Sequence, residues 1–224
     1  MFNNKWLLED VDCVRKVENQ TATTLINRSK DKAVFARLLV TELLEGKNMN
    51  LRVVERDDVD FLVESINDVD FDSEFLPISQ TSKAEVLRRF DNPSQVVMVC
   101  ERQRFIIEKK EGTKIGTIAH WFTQPERFLE IGYDIVRSER GKNYGTEAVQ
   151  LMVDYLFLSK DAVRIQAFTD VRNKASQRVL EKAGFKREGT LQKAGFVRGQ
   201  RADAYLYGIV REEWKEPRIL TKPA

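Results

Sequence analysis

A strand pattern that runs through a basic, glycine-bearing turn directly into an amphipathic helix admits few folds, and residues 129–156 have it. Leu129, Ile131, Tyr133 and Ile135 alternate along a strand, which places Glu130, Gly132 and Asp134 on its other face. Past the turn, Ala148, Leu151, Met152, Tyr155 and Leu156 recur at helical spacings of three and four. Between the two lies Arg137-Ser138-Glu139-Arg140-Gly141-Lys142-Asn143-Tyr144-Gly145-Thr146. The first helical N–H groups have no intrahelical partner and carry the positive end of the helix dipole, so such a junction is an anion site. Gly141 and Gly145 let backbone approach a ligand closely, and Arg140 and Lys142 add mobile positive charge. Read from the residues alone, the stretch binds phosphate or pyrophosphate.

The loop is neither GxxxxGK[ST] nor GxGxxG, so the nucleoside-triphosphate and dinucleotide fingerprints both fail. It does resemble the (Gln/Arg)-x-x-Gly-x-(Gly/Ala) signature of the GNAT superfamily of N-acetyltransferases, which grips the pyrophosphate of acetyl-CoA. Arg140 takes the first position and Gly145 the last, while Asn143 stands where the family usually has glycine. Asparagine is the non-glycine residue that best tolerates positive φ, so the turn survives with some strain.

Composition narrows the class. At 224 residues, with 42% hydrophobic and 32% charged residues, the chain reads as a globular domain with an appendage. A net charge of +2 gives no reason to invoke nucleic acid or membrane as a partner. Cys13 and Cys100 are too few for a disulfide framework and suit a reducing compartment. With no membrane-spanning apolar run and no signal-peptide pattern, the expected location is cytoplasmic.

Residues 1–43 read as a helical extension. Leu7, Leu8, Val11 and Val14 mark one short amphipathic helix, and Phe35, Leu38, Leu39 and Leu43 a second. Such stripes need cover, expected from the main domain ahead of a second copy of the chain in a homodimer. The main domain is expected over 44–214 and a surface tail over 215–224. It opens with a strand over 44–54, then an acidic helix start at Glu55-Arg56-Asp57-Asp58, followed by Val59, Leu62, Val63 and Ile66 at helical spacing. A second helix is expected over 82–90 with Ser82 or Thr81 as cap. Strands follow at 96–99, 105–108, 114–122 and 129–136, with turns at Glu111-Gly112 and at Gln124-Pro125-Glu126. His120, the only histidine, is expected in a core or a pocket wall; no ligand cluster near it supports zinc. Beyond the long helix come a strand over 163–168 and a helix from Asn173, its cap, to Gly184, a left-handed C-terminal cap. Strands over 185–191 and 204–210 close the domain, the latter with Tyr205, Tyr207 and Ile209 on one side.

Asn173-x-x-Ser176, then Glu181-Lys182-x-Gly184-Phe185, and Arg201-x-Asp203-x-x-x-Tyr207 resemble the ribosomal-protein (RimJ/RimL-like) branch of the superfamily. That resemblance implies an α/β GNAT fold: a mixed sheet of six or seven strands, splayed in the middle, with helices on both faces. It implies that backbone of Ile135, Val136 and Arg137 pairs with the pantetheine arm and that Arg140, Gly141, Lys142, Asn143, Tyr144, Gly145 and Thr146 hold the pyrophosphate. Asn173 and Ser176 would lie beside the pantetheine. It also implies that residues around Phe75, Leu76, Pro77 and Ile78 help to wall the acceptor pocket, although core packing is the expectation for any one of them. The tyrosine often found seven residues after the Asn is Leu180 here, and Gly195 stands where some members have an acid. Catalysis is therefore assigned to Glu130 as base, with Ser176 replacing the tyrosine as acid. No metal is expected. The expected reaction moves acetyl from acetyl-CoA to a primary amine, with a protein N-terminal amine as first choice. A small amine (polyamine, amino acid or aminoglycoside) and a non-catalytic CoA-binding module are the alternatives.

Overall fold

The computed structural model describes residues 43–68, 75–91, 102–123 and 128–219. The chain divides into two compact units, and every described residue belongs to the one spanning Glu42–Thr221. The two N-terminal helices, the strand expected at 96–99 and the turn at Gln124-Pro125-Glu126 lie outside the described residues.

The domain opens with a hairpin where one strand is expected: β1 (Leu43–Glu45) and β2 (Met49–Val53) pair antiparallel. A buried carboxylate holds the turn between them, with Asn48 donating to Glu147 from its backbone N (2.7 Å) and Nδ2 (2.8 Å). Glu55 and Asp58 form a capping box around a single 3-10 turn, which leads into α1 (Val59–Asn67). Ser82 caps α2 (Lys83–Asp91) by accepting the Glu85 N–H at 3.1 Å. Then come β3 (Gln103–Lys109), β4 (Lys114–Phe122), β5 (Leu129–Ile135), α3 (Tyr144–Ser159), β6 (Arg164–Asp170), α4 (Lys174–Ala183), β7 (Lys186–Val197) and β8 (Gln200–Val210). Asn173 and Gly184 cap α4 as expected, Gly184 at φ +101°. β7 runs six residues past the expected end at Leu191, because Arg198 and Gly199 both adopt positive φ and turn the chain tightly.

Among the described residues the sheet has eight strands in the order β1-β2-β3-β4-β5-β6-β8-β7, where six or seven are expected. Every pairing is antiparallel except β5 with β6. Its two faces differ. On one, His120 and Phe105 meet Tyr155 of α3, with His120 in the core as anticipated. α4 joins α3 there, since Tyr207 donates to Glu181 Oε1 at 3.0 Å. On the other face Ile106 packs with Val59, Leu62 and Val86, so α1 and α2 cover that side. No helix among the described residues is long and apolar enough to cross a membrane.

Buried polar groups fasten the edges of this core. Asp154, fully buried in α3, accepts Trp214 Nε1 at 2.8 Å and the Arg218 and Ile219 N–H groups at 2.9 Å, anchoring the start of the surface tail. Asp58, 1% exposed, takes Arg52 at 2.9 Å and Lys114 at 2.6 Å. Burial would push the Asp58 carboxyl up, but hydrogen bonds from Arg52, Lys114 and the Glu55 amide outweigh it and lower its pKa from 3.8 to about 2. Burial first, and then the charge of Lys160, lower His120 from 6.5 to about 4.

Both folded-state values are depressed, so the unfolded chain binds more protons and stability is lost as pH falls. Thermal melts should show two windows, one between about pH 6.5 and 4 from His120 and one between about 4 and 2 from Asp58. His120→Phe should flatten the first only. Asp58→Asn should flatten the second and cost roughly 3 kcal/mol at neutral pH, because Arg52 and Lys114 lose their counter-charge.

Candidate active site

The site begins where the sheet opens. β5 and β6 share only two pairs, Leu129↔Ile165 and Glu130↔Gln166. Beyond Glu130 they part, although β5 stays paired to β4 along its whole length and β6 to β8. The β6 side of Ile131 to Ile135 is therefore outside the ladder, a wider opening than the expected 135–137. Ile135 keeps its carbonyl on the open side, where it accepts Arg140 Nε at 2.8 Å. Val136, expected to pair with a ligand, instead donates its N–H to Ile115 on β4 at 2.8 Å. Arg137 begins a 3-10 turn and is exposed.

At the mouth of this opening lies the basic turn. Gly141 has φ +79°, and Asn143, at φ +71° and ψ 0°, takes the left-handed conformation inferred for it. Asn143 caps α3 without a side-chain hydrogen bond, and the first helical bond runs from Glu147 N to its carbonyl. The N–H groups of Tyr144, Gly145 and Thr146 thus precede the intrahelical ladder. A Cβ on Gly145 would meet Val179 and Ile135 at 3.6–3.9 Å, ordinary contact, so an alanine would fit there. Glu139 gathers two cations beside the turn, Lys109 at 3.0 Å and Lys142 at 3.1 Å, and their hydrogen bonds hold its carboxyl below the usual range. Lys109, at the end of β3, was not legible as a neighbour in the sequence.

The candidate catalytic residues lie on opposite faces of β5, and the structure does not bring them into contact. Glu130 stands opposite Trp121 on β4 and accepts Gln166 Nε2 from β6 at 3.1 Å. Burial raises its carboxyl above the usual range, with the Gln166 hydrogen bond pulling the other way. Ser176, in the first turn of α4, donates its N–H to Asn173 Oδ1 at 3.0 Å. Its hydroxyl lies 3.0 Å from the Tyr133 hydroxyl. Burial pushes the Tyr133 phenol well up, so it stays protonated at neutral pH. Leu180 is fully buried and offers no acid, so Tyr133 is the phenol at this end of the opening.

The remaining family-like residues have structural partners. Asp203 accepts the Lys193 N–H at 2.8 Å, and Arg201 lies over the Phe196 ring. Leu76 and Ile78 are 45% and 60% exposed, so neither is a core residue as expected, and Phe75 lies under the Arg172 guanidinium.

Comparison with known proteins agrees with this geometry. Residues 48–186 match the family described as Acetyltransferase (GNAT) domain. The uncharacterized N-acetyltransferase p20 of Bacillus licheniformis is 29% identical over 177 residues, covering 77% of this chain and 98% of that one. The spermidine N-acetyltransferase of Vibrio cholerae, solved with CoA and spermine, superposes with a TM-score of 0.66 at 21% identity, over 75% of this chain and 98% of the other. RimL, a ribosomal L7/L12 alpha-N-protein acetyltransferase solved with coenzyme A, superposes with a TM-score of 0.64 at 18% identity and the same coverage. An opened sheet with a helix start at its mouth that no side chain caps by a hydrogen bond, in a chain matching that family over most of its length, makes this protein a member of the GNAT family and an acetyl-CoA-dependent N-acetyltransferase.

Proposed function

We propose that the enzyme acetylates a protein N-terminal amine, with Glu130 as the base. One observation carries the assignment of the base. The buried acids Asp58, Glu147 and Asp154 each accept two or more hydrogen bonds that fix them in the fold. Glu130, at the point where the sheet parts, has among the described residues a neutral amide as its hydrogen-bond partner and a carboxyl raised by burial.

The division of roles follows from placement. The N–H groups of Gly145 and Thr146, with Arg140, Lys142 and the Gly141–Asn143 turn, receive the pyrophosphate. The open edge at Ile135 pairs with the pantetheine, which requires Arg140 to release the Ile135 carbonyl. Glu130 takes a proton from the acceptor ammonium, through a water, and the neutral amine attacks the thioester carbon. As the C–S bond breaks, the Ser176 hydroxyl, backed by Tyr133, protonates the leaving thiolate. Asn173 holds Ser176 in place by capping its turn.

A small cationic acceptor such as a polyamine is the second reading, favoured by charge in the sequence: Asp68, Asp70, Asp72 and Glu74 fall within seven residues between α1 and α2. Thiol release measured with N-terminal peptides, spermidine, amino acids and aminoglycosides separates the readings. Turnover confined to peptides supports the first, and turnover confined to spermidine replaces it.

Lys142→Ala together with Arg140→Ala should weaken acetyl-CoA binding several-fold to a hundred-fold, since charge-assisted hydrogen bonds contribute about 1.5–3 kcal/mol each. Unchanged affinity by calorimetry would end the pyrophosphate assignment. Asn143→Gly should leave binding intact and be neutral or slightly stabilising, as it relieves the left-handed strain. Glu130→Gln should lower kcat by about 10²–10⁴ with little change in acetyl-CoA affinity. The wild-type rate should fall on the acidic side as Glu130 becomes protonated, and that limb should vanish in the variant. Retention of kcat and of the limb would show that Glu130 is not the base.

A further inference from the structure

The last rung between the two halves of the sheet joins the backbones of Glu130 and Gln166, and their side chains add a bond of their own. The chemistry of the neighbours decides which way the Gln166 amide points. A carboxylate accepts only and a guanidinium donates only. Gln166 lies between one of each: its Oε1 accepts Arg164 Nη2 at 3.4 Å, and its Nε2 donates to Glu130 Oε2 at 3.1 Å. Turning the amide over would set donor against donor and acceptor against acceptor. Arg164 is in turn held by Glu188 of β7 at 3.1 and 2.8 Å and lies over the Phe128 ring. Gly208, between them on β8, leaves the space: a Cβ there would come within 2.3 Å of Glu188 and 2.9 Å of Arg164.

We propose that Gln166 is the positioning residue for Glu130, with Arg164 and Glu188 fixing the orientation of its amide. The chain Glu188–Arg164–Gln166–Glu130 crosses from β7 to β5 at the base of the opening. It directs Glu130 Oε2 toward β6, leaves Oε1 for the amine or its water, and favours the ionised form in a half-buried place. Three other charged groups near this face have partners of their own. Asp134, on the same strand, accepts from the Thr117 hydroxyl at 2.9 Å and its N–H at 3.2 Å. Beyond β4, Arg102 lies 5.0 Å from the Trp121 ring. Further along β6, Asp170 is held by Arg172 at 2.7 Å. Among the described residues, Gln166 is the side chain that hydrogen-bonds the Glu130 carboxylate.

The proposal rests on Glu130 being the base, so its test reads the carboxyl directly as well as through the rate. In the full chain labelled with carboxyl-¹³C glutamate, the Glu130 resonance, assigned by its loss in Glu130→Gln, is titrated in wild type, Gln166→Met and Arg164→Lys. The pH dependence of thiol release is followed with acetyl-CoA and a short peptide bearing a free N-terminal amine. Gln166→Met should raise the Glu130 midpoint by about half to one pH unit, the size of one hydrogen bond to the ionised form. The acidic limb should follow it, with acetyl-CoA affinity and melting temperature unchanged. Arg164→Lys keeps the charge and loses the planar guanidinium geometry, so it should move the midpoint the same way by less. The double variant should move no further than Gln166→Met, because Arg164 acts through Gln166. An unmoved midpoint in Gln166→Met, or additive shifts in the double variant, overturns the proposal. A midpoint that moves without the acidic limb supports the contact and removes Glu130 as the base.

Discussion

The structure depends on how little joins β5 to β6. β5 pairs with β4 over seven residues and β6 with β8 over seven, yet the two inner strands share two rungs before they separate. A parallel pair is normally continued to satisfy its backbone groups, and an opened one is tolerated only where something else pairs with the free edge. Even here one free acceptor is covered, since Arg140 reaches back to the Ile135 carbonyl. The helices keep the halves together on the other side. α3 packs its buried face, including Leu151, Met152 and Leu156, against the sheet, and α4 packs beside it. Arg211 adds a polar tie, donating to the carbonyls of Phe157 in α3 and of Lys160 and Ala162 just beyond it.

That opening separates two kinds of chemistry. At its mouth, donors and cations prevail: the start of α3, Arg140, Lys142, and Lys109 gathered by Glu139. At its base, the Glu130 carboxylate meets an amide on one face, and a hydroxyl pair, Ser176 with Tyr133, lies on the other. The donors and cations of the first region suit an anion. In the second, burial raises the affinity of the Glu130 carboxylate for a proton. The stabilising acids are built oppositely. Asp58, with two cations and an amide, stays ionised down to about pH 2 and so cannot act as a base at neutral pH.

Most of the local structure could be read along the chain because it is set by neighbours within a few residues. The α3 turn, the left-handed Asn143, the Asn173 and Ser82 caps and the Gly184 stop are of this kind. So is the alternation that put Glu130 and Tyr133 on opposite faces of β5. Errors arose where local pattern was silent. Gly46 to Asn48 hid a hairpin whose turn is held by Glu147, 99 residues further on. Arg198, an unusual residue for positive φ, hid the far half of β7. The apolar run at Leu76 and Ile78 reads as core but is exposed.

The sequence by itself determined the strand–turn–helix junction and, through its motifs, the family and the use of acetyl-CoA, because those features are written in consecutive residues. Only the tertiary structure decided where the sheet opens, which strand edge is free and what each candidate side chain touches. Gln166 beside Glu130, Tyr133 beside Ser176 and Lys109 beside Glu139 join residues 36, 43 and 30 apart. Such contacts follow from register between strands and from helix docking. No periodicity along the chain encodes them, since pairing one residue further along would turn each side chain to the other face.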